Sequence, residues 1–260
     1  MNKTISIITV NFNNKEGLVK TLRSVFEQRR DVFEYIVVDG GSADGSIDII
    51  NAYAATIDYW SSEPDTGIYN AMNKGISKAT GNYLLFLNSG DCFFDKNTIE
   101  NCYNFLIDNQ EVDIVYGDVI VDKGVTIWRY PTQITFPYLH GSTINHQASL
   151  IKASLFSEFG PYPEKYRLAS DYWLFLIAFL NNKCFKHVNM FMVDYDYAGI
   201  SAVDNFSKYN SERLSIWNTF VPENIKVLVT ENILMKNFMQ YKLVKLGMNL
   251  NKFYQQIFKR

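Results

Sequence analysis

Asp91 is the first of several side chains whose type and position in the chain indicate chemistry. It follows Gly90 shortly after the apolar run YLLFL, at the end of a predicted strand. Glycine lets a ligand approach the backbone closely, and Mg²⁺ or Mn²⁺ commonly joins a nucleotide diphosphate to one or two protein carboxylates. Asp91 is therefore a candidate metal ligand. Its position also fits a helix cap, since another helix is predicted to begin near Asp95.

Two other acids also stand next to apolar runs. Asp39 follows Val37-Val38 and precedes two glycines, so it can accept a hydrogen bond from a base or ribose, or simply form a turn. Asp171 begins the apolar segment that ends at Leu180. It can act as a general base toward a hydroxyl, or it can stabilise the positive end of the helix dipole.

The histidines and glycines are less specific. His146, in the sequence Asn-His-Gln, is either a substrate contact or a structural histidine. His140 and His187 are more typical of structural histidines, and no metal-binding spacing links the three. The stretch GGSADG lacks the GxGxxG pattern, and no GxxxxGK[ST] loop is present. These patterns argue against a dinucleotide-binding fold and an ATPase.

The elements that must position these side chains alternate through the first ninety residues. Short β-branched runs typical of buried strands are separated by segments with apolar residues at helical spacing. This alternation predicts a parallel sheet with helices on both faces. Ligands bind beyond the carboxyl ends of such strands, where Asn11, Asn13, Asp39 and Asp91 fall. The predicted strands are 5–10, 35–38, 57–60 and 83–87, and the predicted helices lie near 18–26, 47–53 and 68–79.

The second half of the chain is less regular. Residues 113–121 and 125–130 are predicted to be paired strands. A loop containing Pro131, Pro137 and His140 follows. A helix from 169 to about 180 and strands at 185–188 and 191–197 are also predicted. No repeat or linker interrupts the chain, so we predict one domain over residues 1–205 and a C-terminal helical extension over 206–260.

The composition limits the class of protein. The 260 residues are 47% hydrophobic, which excludes a disordered or fibrous chain. A formal net charge of -2 argues against nucleic-acid binding. Three cysteines without paired spacing favour a reducing cytoplasm. The N-terminus lacks the core of a signal peptide, and the longest apolar run is far shorter than the ~20 residues that span a bilayer. We therefore predict a soluble, cytoplasmic protein.

Together these segments resemble the family 2 glycosyltransferases of the GT-A fold, and most closely the bacterial branch that builds exopolysaccharides such as colanic acid. Each motif alone is weak, but the ordered set is highly specific and covers roughly residues 4 to 201. The resemblance implies a Rossmann-like, mostly parallel sheet flanked by helices. The matching stretches are SIITVNFN ending at Asn13, IVVDGGSADG from Ile36, SEPDTGIYNAMNKG from Ser62, LLFLNSGD ending at Asp91, and the later segments HQ and ASDY.

The resemblance also implies a role for individual positions. Asp39 would face the nucleotide base, and Asp65 would approach the base or ribose. The implied nucleotide-binding residues are Thr9, Asn11, Asn13, Asp39, Asp65, Asn88 and Ser89.

The resemblance implies catalytic and metal-binding roles for residues in the last three matching segments, LLFLNSGD, HQ and ASDY. Asp171 matches the catalytic base of inverting members, and Asp91 stands in the segment that binds Mn²⁺ or Mg²⁺. His146 and Gln147 would contact the acceptor or the donor sugar. Many relatives have Asp-Ala-Asp-Asp where this chain has Asn-Ser-Gly-Asp, so three possible carboxylates become one. Metal affinity would then depend on the donor diphosphate, while Asn88 can still offer a carbonyl oxygen.

The predicted function is inverting transfer of a sugar from a UDP- or GDP-linked donor to a hydroxyl acceptor. The implied setting is bacterial surface or exopolysaccharide biosynthesis, with a lipid-linked glycan as acceptor. One alternative is a sugar nucleotidyltransferase, which normally needs a glycine-rich loop where this chain has Asn11-Phe12-Asn13-Asn14. The other alternative is a non-catalytic carbohydrate-binding or scaffold protein with the same fold.

The C-terminal segment has a distinct charge pattern. After Glu231 it contains six basic residues and no acids, interleaved with apolar residues. A basic amphipathic helix can lie on an anionic membrane surface, which would place the protein at the inner face of the cell membrane. Packing on the domain and contact with a second copy in a homo-oligomer are equally consistent with this pattern.

Overall fold

The structure is a computed structural model that describes residues 4–121, 124–196 and 206–235. Its first half alternates strands and helices as predicted. The third strand begins two residues later than predicted, because a 3-10 turn at Ala54–Thr56 precedes it. The elements are β1 (Ile5–Asn11), α1 (Lys15–Phe26), β2 (Phe33–Asp39), α2 (Ser46–Tyr53), β3 (Tyr59–Ser62), α3 (Ile68–Ile76) and β4 (Tyr83–Phe86).

The second half supplies the remaining strands and the helices that cover the sheet. Residues 223–235 are also helical. The elements are β5 (Cys92–Phe93), α4 (Thr98–Asp108), β6 (Ile114–Val121), β7 (Thr126–Trp128), α5 (Phe136–Gly141), β8 (Ser149–Lys152), α6 (Ser154–Phe159), α7 (Ser170–Leu180), β9 (Phe185–Tyr195) and α8 (Phe206–Phe220).

All nine strands form one sheet in the order β3-β2-β1-β4-β8-β6-β9-β5, with β7 paired to β6. Strands β1 to β4 are parallel, and β6 runs parallel to β9. The antiparallel pairs involve β8, β7 and β5. Six of the nine strands, β1 to β4, β6 and β9, therefore run in the same direction, and the carboxyl ends of β1, β2 and β4 lie side by side.

Two predictions for the second half are wrong in detail. The segment with Pro131, Pro137 and His140 is not all loop, because Thr135 caps the short helix α5 by accepting from the backbone N–H of Tyr138. The two predicted strands after residue 185 are one continuous strand, β9, which bends at an irregularity in its pairing with β6. The end predicted for it at residue 197 lies outside the described residues. The short elements β5, β8 and α6 were not predicted.

The core is divided between the two faces of the sheet. Along β1, Ile7 packs with one cluster while Ile8 packs with the other, as the two-residue period of a strand requires. Helix α7 is buried on nearly every side, because α8 covers it with Ile216 and Trp217. This explains why its sequence is apolar throughout. Helix α8 thus packs against α7.

The boundary predicted at residue 205 lies beside the undescribed segment 197–205, and most of the basic C-terminal pattern falls in residues 236–260, also outside the description. Within the described ranges, no helix has both the length and the apolar character needed to cross a membrane.

Candidate active site

The loops after β1, β2 and β4 meet in one hydrogen-bond network. Asn11, the last residue of β1, donates through Nδ2 to Asp39 Oδ1 at 2.7 Å, and its Oδ1 accepts from Ser89 Oγ at 2.7 Å. Ser42 Oγ also donates to Asp39 Oδ1, at 2.6 Å. Three of the predicted nucleotide-binding residues are therefore adjacent, as expected for the carboxyl edge of a parallel sheet.

Asp39 organises the loop that follows β2. Its completely buried carboxylate accepts hydrogen bonds from the backbone N–H groups of Gly41 and Ser42 and from the Ser62 hydroxyl. Burial acts to raise the pKa of Asp39, but the hydrogen bonds from Ser42, Ser62 and Asn11 outweigh it and lower the pKa. Asp39 is therefore ionised, and it fixes the backbone of the GGS turn.

Asp65 and an exposed aromatic ring stand beside this turn. A Cβ on Gly40 would lie 2.4 Å from Asp65 Oδ2 and 3.1 Å from Cδ2 of Phe12, so glycine makes room for both. Phe12 is 60% exposed, and its flat face is suited to stacking on a nucleotide base. Phe12 was not predicted as a site residue, although it lies between Asn11 and Asn13, directly after the first strand.

Asn13 and Thr9 differ in their access to the site. Asn13 is exposed in a left-handed conformation (φ 48°), and its Oδ1 accepts from the backbone N–H of Ala43 at 2.8 Å. Thr9 is completely buried; its hydroxyl donates to Leu87 O at 2.7 Å and accepts from Tyr35 at 2.9 Å. The structure thus brings Asn13 to the rim of the site and places the Thr9 side chain beneath it.

Thr21, on α1, holds the turn that carries Asp91. Its Oγ1 accepts from the backbone N–H of Gly90 at 2.9 Å and donates to Asp91 O at 2.8 Å. Gly90 has φ 107°, and a Cβ there would lie 2.8 Å from Asp196 Oδ2, so a side chain at this position would be strained. Thr21 was not predicted, because a threonine in a helical pattern does not reveal a contact 70 positions away.

We expect Thr21→Val to lower the free energy of unfolding by about 1–3 kcal/mol, since it leaves the buried N–H of Gly90 without an acceptor. Valine preserves the side-chain shape, so packing should change little. Urea unfolding followed by circular dichroism measures the difference. The control is Thr56→Val, whose exposed hydroxyl bonds only the nearby Tyr53 O. Equal losses in the two variants would contradict the role given to Thr21.

Asp91 is buried, at 3% exposure, beside a second acid. Its Oδ1 accepts from the backbone N–H of Asp196 at 2.9 Å. Burial raises the pKa of Asp91 to about 7; the Asp196 N–H and the Gln147 side chain oppose this shift, and the Asp196 carboxylate adds to it. The charged form is therefore poorly stabilised by the protein alone, which suits a carboxylate that binds a cation.

Asp171, on the first turn of α7, lies on the other side of the site. Its Oδ1 accepts from the Tyr69 hydroxyl at 2.9 Å, and its Oδ2 lies 3.0 Å from His146 Nδ1. Asp171 and His146 are both buried, at 8% and 7% exposure. The helix-start position predicted for Asp171 is confirmed, and its carboxylate is held by two side chains from distant elements.

Asn88 connects the two acidic positions. Its Nδ2 lies 3.3 Å from Nε2 of His146, whose other ring nitrogen faces Asp171. The Oδ1 of Asn88 is buried and has no hydrogen-bond partner among the described residues. Gln147, next to His146, faces Asp91 closely enough to oppose the rise in its pKa. Both residues of the His-Gln pair therefore lie between the Asp91 turn and Asp171.

The described residues contain no group of three His, Cys, Asp or Glu side chains placed to hold a metal ion. A cation at Asp91 would need further oxygen ligands from a bound molecule. The buried carboxylate, with its pKa raised by burial, fits such a partly completed site for a hard cation.

Residues 6–176 match the family described as Glycosyl transferase family 2, a stretch that includes every strand-end loop of the site and Asp171. The chain belongs to this family.

As a family 2 glycosyltransferase, the chain has relatives among mycobacterial enzymes. It is 36% identical over 182 residues to an uncharacterized glycosyltransferase of Mycobacterium tuberculosis, covering 68% of this chain and 69% of that one. It is also 32% identical over 202 residues to a PGL/p-HBAD biosynthesis glycosyltransferase of Mycobacterium bovis, covering 75% and 78% of the two chains.

Solved structures confirm the GT-A fold predicted for this glycosyltransferase. Staphylococcus aureus TarS 1-349, in complex with UDP-GlcNAc, has a TM-score of 0.69 at 19% identity, covering 91% of this chain and 73% of that one. The mannosyltransferase PcManGT from Pyrobaculum calidifontis, in complex with GDP-Man and Mn²⁺, has a TM-score of 0.58 at 13% identity, covering 94% and 83%. At these identities the likeness establishes the fold.

Proposed function

We propose that this glycosyltransferase moves a sugar from a UDP- or GDP-linked donor to a hydroxyl acceptor with inversion at the anomeric carbon. One observation carries the proposal: Asn88, His146 and Asp171 form a continuous chain of contacts from the turn of Asp91 to a buried carboxylate on α7. Asp91, the proposed cation ligand, and Asp171, the proposed general base, thus belong to one site. The nucleotide-binding loops after β1 and β2 adjoin it.

The proposed reaction is a single displacement. Asp171 accepts the proton of the acceptor hydroxyl while the hydroxyl oxygen bonds the anomeric carbon and the bond to the diphosphate breaks. Asn11, Asp39 and Ser89 order the loops that receive the nucleotide, and Phe12 offers a face for its base. Asp91 would hold a Mn²⁺ or Mg²⁺ ion, which would supply positive charge to stabilise the departing diphosphate.

The biological setting is part of the same proposal. One relative is named for PGL/p-HBAD biosynthesis, and we extend this to a lipid-linked glycan acceptor in bacterial surface or exopolysaccharide biosynthesis. The described helix over 223–235 exposes Val227, Leu228, Leu234 and Met235, which supports peripheral contact with the inner face of the cell membrane. Three free cysteines agree with a cytoplasmic setting.

We expect titration calorimetry to detect binding of a UDP- or GDP-sugar that Mn²⁺ strengthens by at least about tenfold over EDTA, since the cation joins the diphosphate to Asp91. The screen uses common UDP- and GDP-sugars with the full chain, and UMP or GMP as the control that lacks the diphosphate. A non-catalytic scaffold should bind no donor in a metal-dependent manner. Formation of a nucleotide sugar from a nucleoside triphosphate and a sugar 1-phosphate, with release of pyrophosphate, would indicate a sugar nucleotidyltransferase instead.

A further inference from the structure

We propose that His146 is a positioning residue for Asp171, and that Asn88 holds His146 in the tautomer that this role requires. The inference rests on the proposed function, because it concerns how the base is aimed. It also assigns Asn88, the residue that stands where many relatives carry a carboxylate, to the base and not to the metal.

The hydrogen-bond partners define the state of the His146 ring. An ionised carboxylate can only accept hydrogen bonds, so the contact of 3.0 Å with Asp171 Oδ2 places a proton on Nδ1. The amide nitrogen of Asn88 can only donate, so the contact of 3.3 Å places a lone pair on Nε2. Both contacts are satisfied together by the neutral ring protonated at Nδ1.

This arrangement fixes the plane of the Asp171 carboxylate. Tyr69 donates to one oxygen and His146 to the other, and the two donors come from α3 and from the turn before β8. Burial raises the pKa of Tyr69 well above its ordinary value, so its hydroxyl remains a donor. Each carboxylate oxygen keeps a second lone pair, and holding both oxygens aims these toward the acceptor.

Asn88 connects the His146–Asp171 pair to the turn that carries Asp91, where the sugar donor is proposed to bind. With Nδ2 committed to His146, the amide cannot turn, and its unpartnered Oδ1 keeps one fixed direction. An aspartate at position 88 could not donate to Nε2. It would accept from a protonated Nε2 and would therefore favour a doubly protonated ring. A neutral His146 protonated at Nδ1 therefore needs a donor at position 88, which the amide of Asn88 provides.

Nitrogen NMR of the histidine rings tests the tautomer without any substrate. The chain has three histidines, and the signal that His146→Gln removes identifies His146. We expect protonated Nδ1 and unprotonated Nε2 at pH 8. His187 is an internal reference of the opposite kind, because its Nε2 faces Asp118 Oδ1 at 2.9 Å. Asn88→Asp should protonate both nitrogens of His146. Protonation of wild-type His146 at Nε2 alone overturns the proposal.

Two substitutions of His146 test the positioning role. The amide nitrogen of asparagine can replace Nδ1, whereas that of glutamine replaces Nε2. We therefore expect His146→Asn to keep kcat within about tenfold of the wild type, and His146→Gln to lower kcat by about 10²-fold, the cost of a misplaced reacting group. Donor KM should change little in either. Equal losses in the two variants overturn the assignment to Nδ1.

The pH–rate profile provides a readout that a merely structural role would not move. Loss of a donor destabilises the charged carboxylate, so the acid limb of kcat should lie at higher pH in His146→Gln than in His146→Asn. Tyr69, Tyr162 and Tyr209 also face Asp171, but burial raises the pKa of each, so none titrates near neutrality. Coincident acid limbs overturn the proposal.

Absence of wild-type turnover with every donor refutes the proposed function, whereas the NMR result reports on the His146 ring alone.

Discussion

Asp171→Asn is expected to lower the rate of sugar transfer by about 10³-fold, within the range that a general base contributes. Asparagine has nearly the same shape as aspartate, but its amide cannot take the proton of the acceptor hydroxyl. The donor nucleotide is bound by the loops after β1, β2 and β4, so donor affinity should change by no more than about twofold. The predicted signature is a loss in kcat with an unchanged donor Kd.

Two measurements on the same preparation check this expectation. Radiolabelled transfer gives kcat, and calorimetry with Mn²⁺ gives the donor Kd. Asp108→Asn is a matched control, because this exposed aspartate ends α4, away from the strand-end loops. Transfer by Asp171→Asn at the rate of the wild type would refute the assignment of Asp171 as base. A large loss of donor affinity would instead place Asp171 in the donor pocket.

Strand-end residues could be predicted because a local pattern identifies them. The apolar runs before Asn11, Asp39 and Asn88 mark strands, and parallel strands bring their carboxyl ends together whatever their separation in sequence. Helix α7, which carries Asp171 in its first turn, was predicted for the same reason, since its apolar segment is continuous. Thr9 shows the limit of the argument: it lies on the same face of β1 as Asn11 but two residues before the strand end, where its hydroxyl is buried against Leu87 and Tyr35.

Contacts between distant side chains could not be predicted from these patterns. Tyr69 meets Asp171 across 102 positions, and Thr21 meets Asp91 across 70. Neither residue has an unusual neighbour in the sequence, because both lie within ordinary amphipathic helices. His146 was predicted to be either a contact with the acceptor or donor sugar or a structural histidine; its pairing with Asp171 depends on how the turn before β8 is placed in the sheet.

Asp91→Asn is expected to abolish the strengthening of donor binding by Mn²⁺ and to lower transfer by at least about 10²-fold. Asparagine keeps an oxygen that can accept from the Asp196 N–H, now 2.9 Å from Asp91 Oδ1, so the turn should retain its shape. The negative charge that binds the cation is lost. Calorimetry with Mn²⁺ and with EDTA should then give the same donor Kd. A remaining tenfold effect of Mn²⁺ would show that the cation binds elsewhere.

The stability of the same variant tests why Asp91 suits a cation. Burial raises the pKa of Asp91 to about 7 in the native chain, whereas an unfolded aspartate has a pKa of about 3.9. Between these values the native chain holds a proton that the unfolded chain has released, so the wild type loses stability as pH rises from about 4 to about 7. Asparagine carries no such proton. Without metal, Asp91→Asn should therefore have the higher Tm above pH 7, and the two proteins should converge near pH 4.

Mn²⁺ should raise the Tm of the wild type alone, and so reverse the order of the two Tm values above pH 7. A cation that binds the native chain and not the unfolded one raises Tm by mass action, and Asp91 is ionised and free to bind it at pH 8. With a nucleotide-sugar donor present to supply the remaining ligands, we expect Mn²⁺ to raise the Tm of the wild type at pH 8, to do so much less at pH 5, where the native carboxyl group holds its proton, and to leave the Tm of Asp91→Asn unchanged at both. Equal shifts in Tm in the two proteins would mean that Mn²⁺ stabilises the chain through other groups, and Asp91 would then not be the metal ligand.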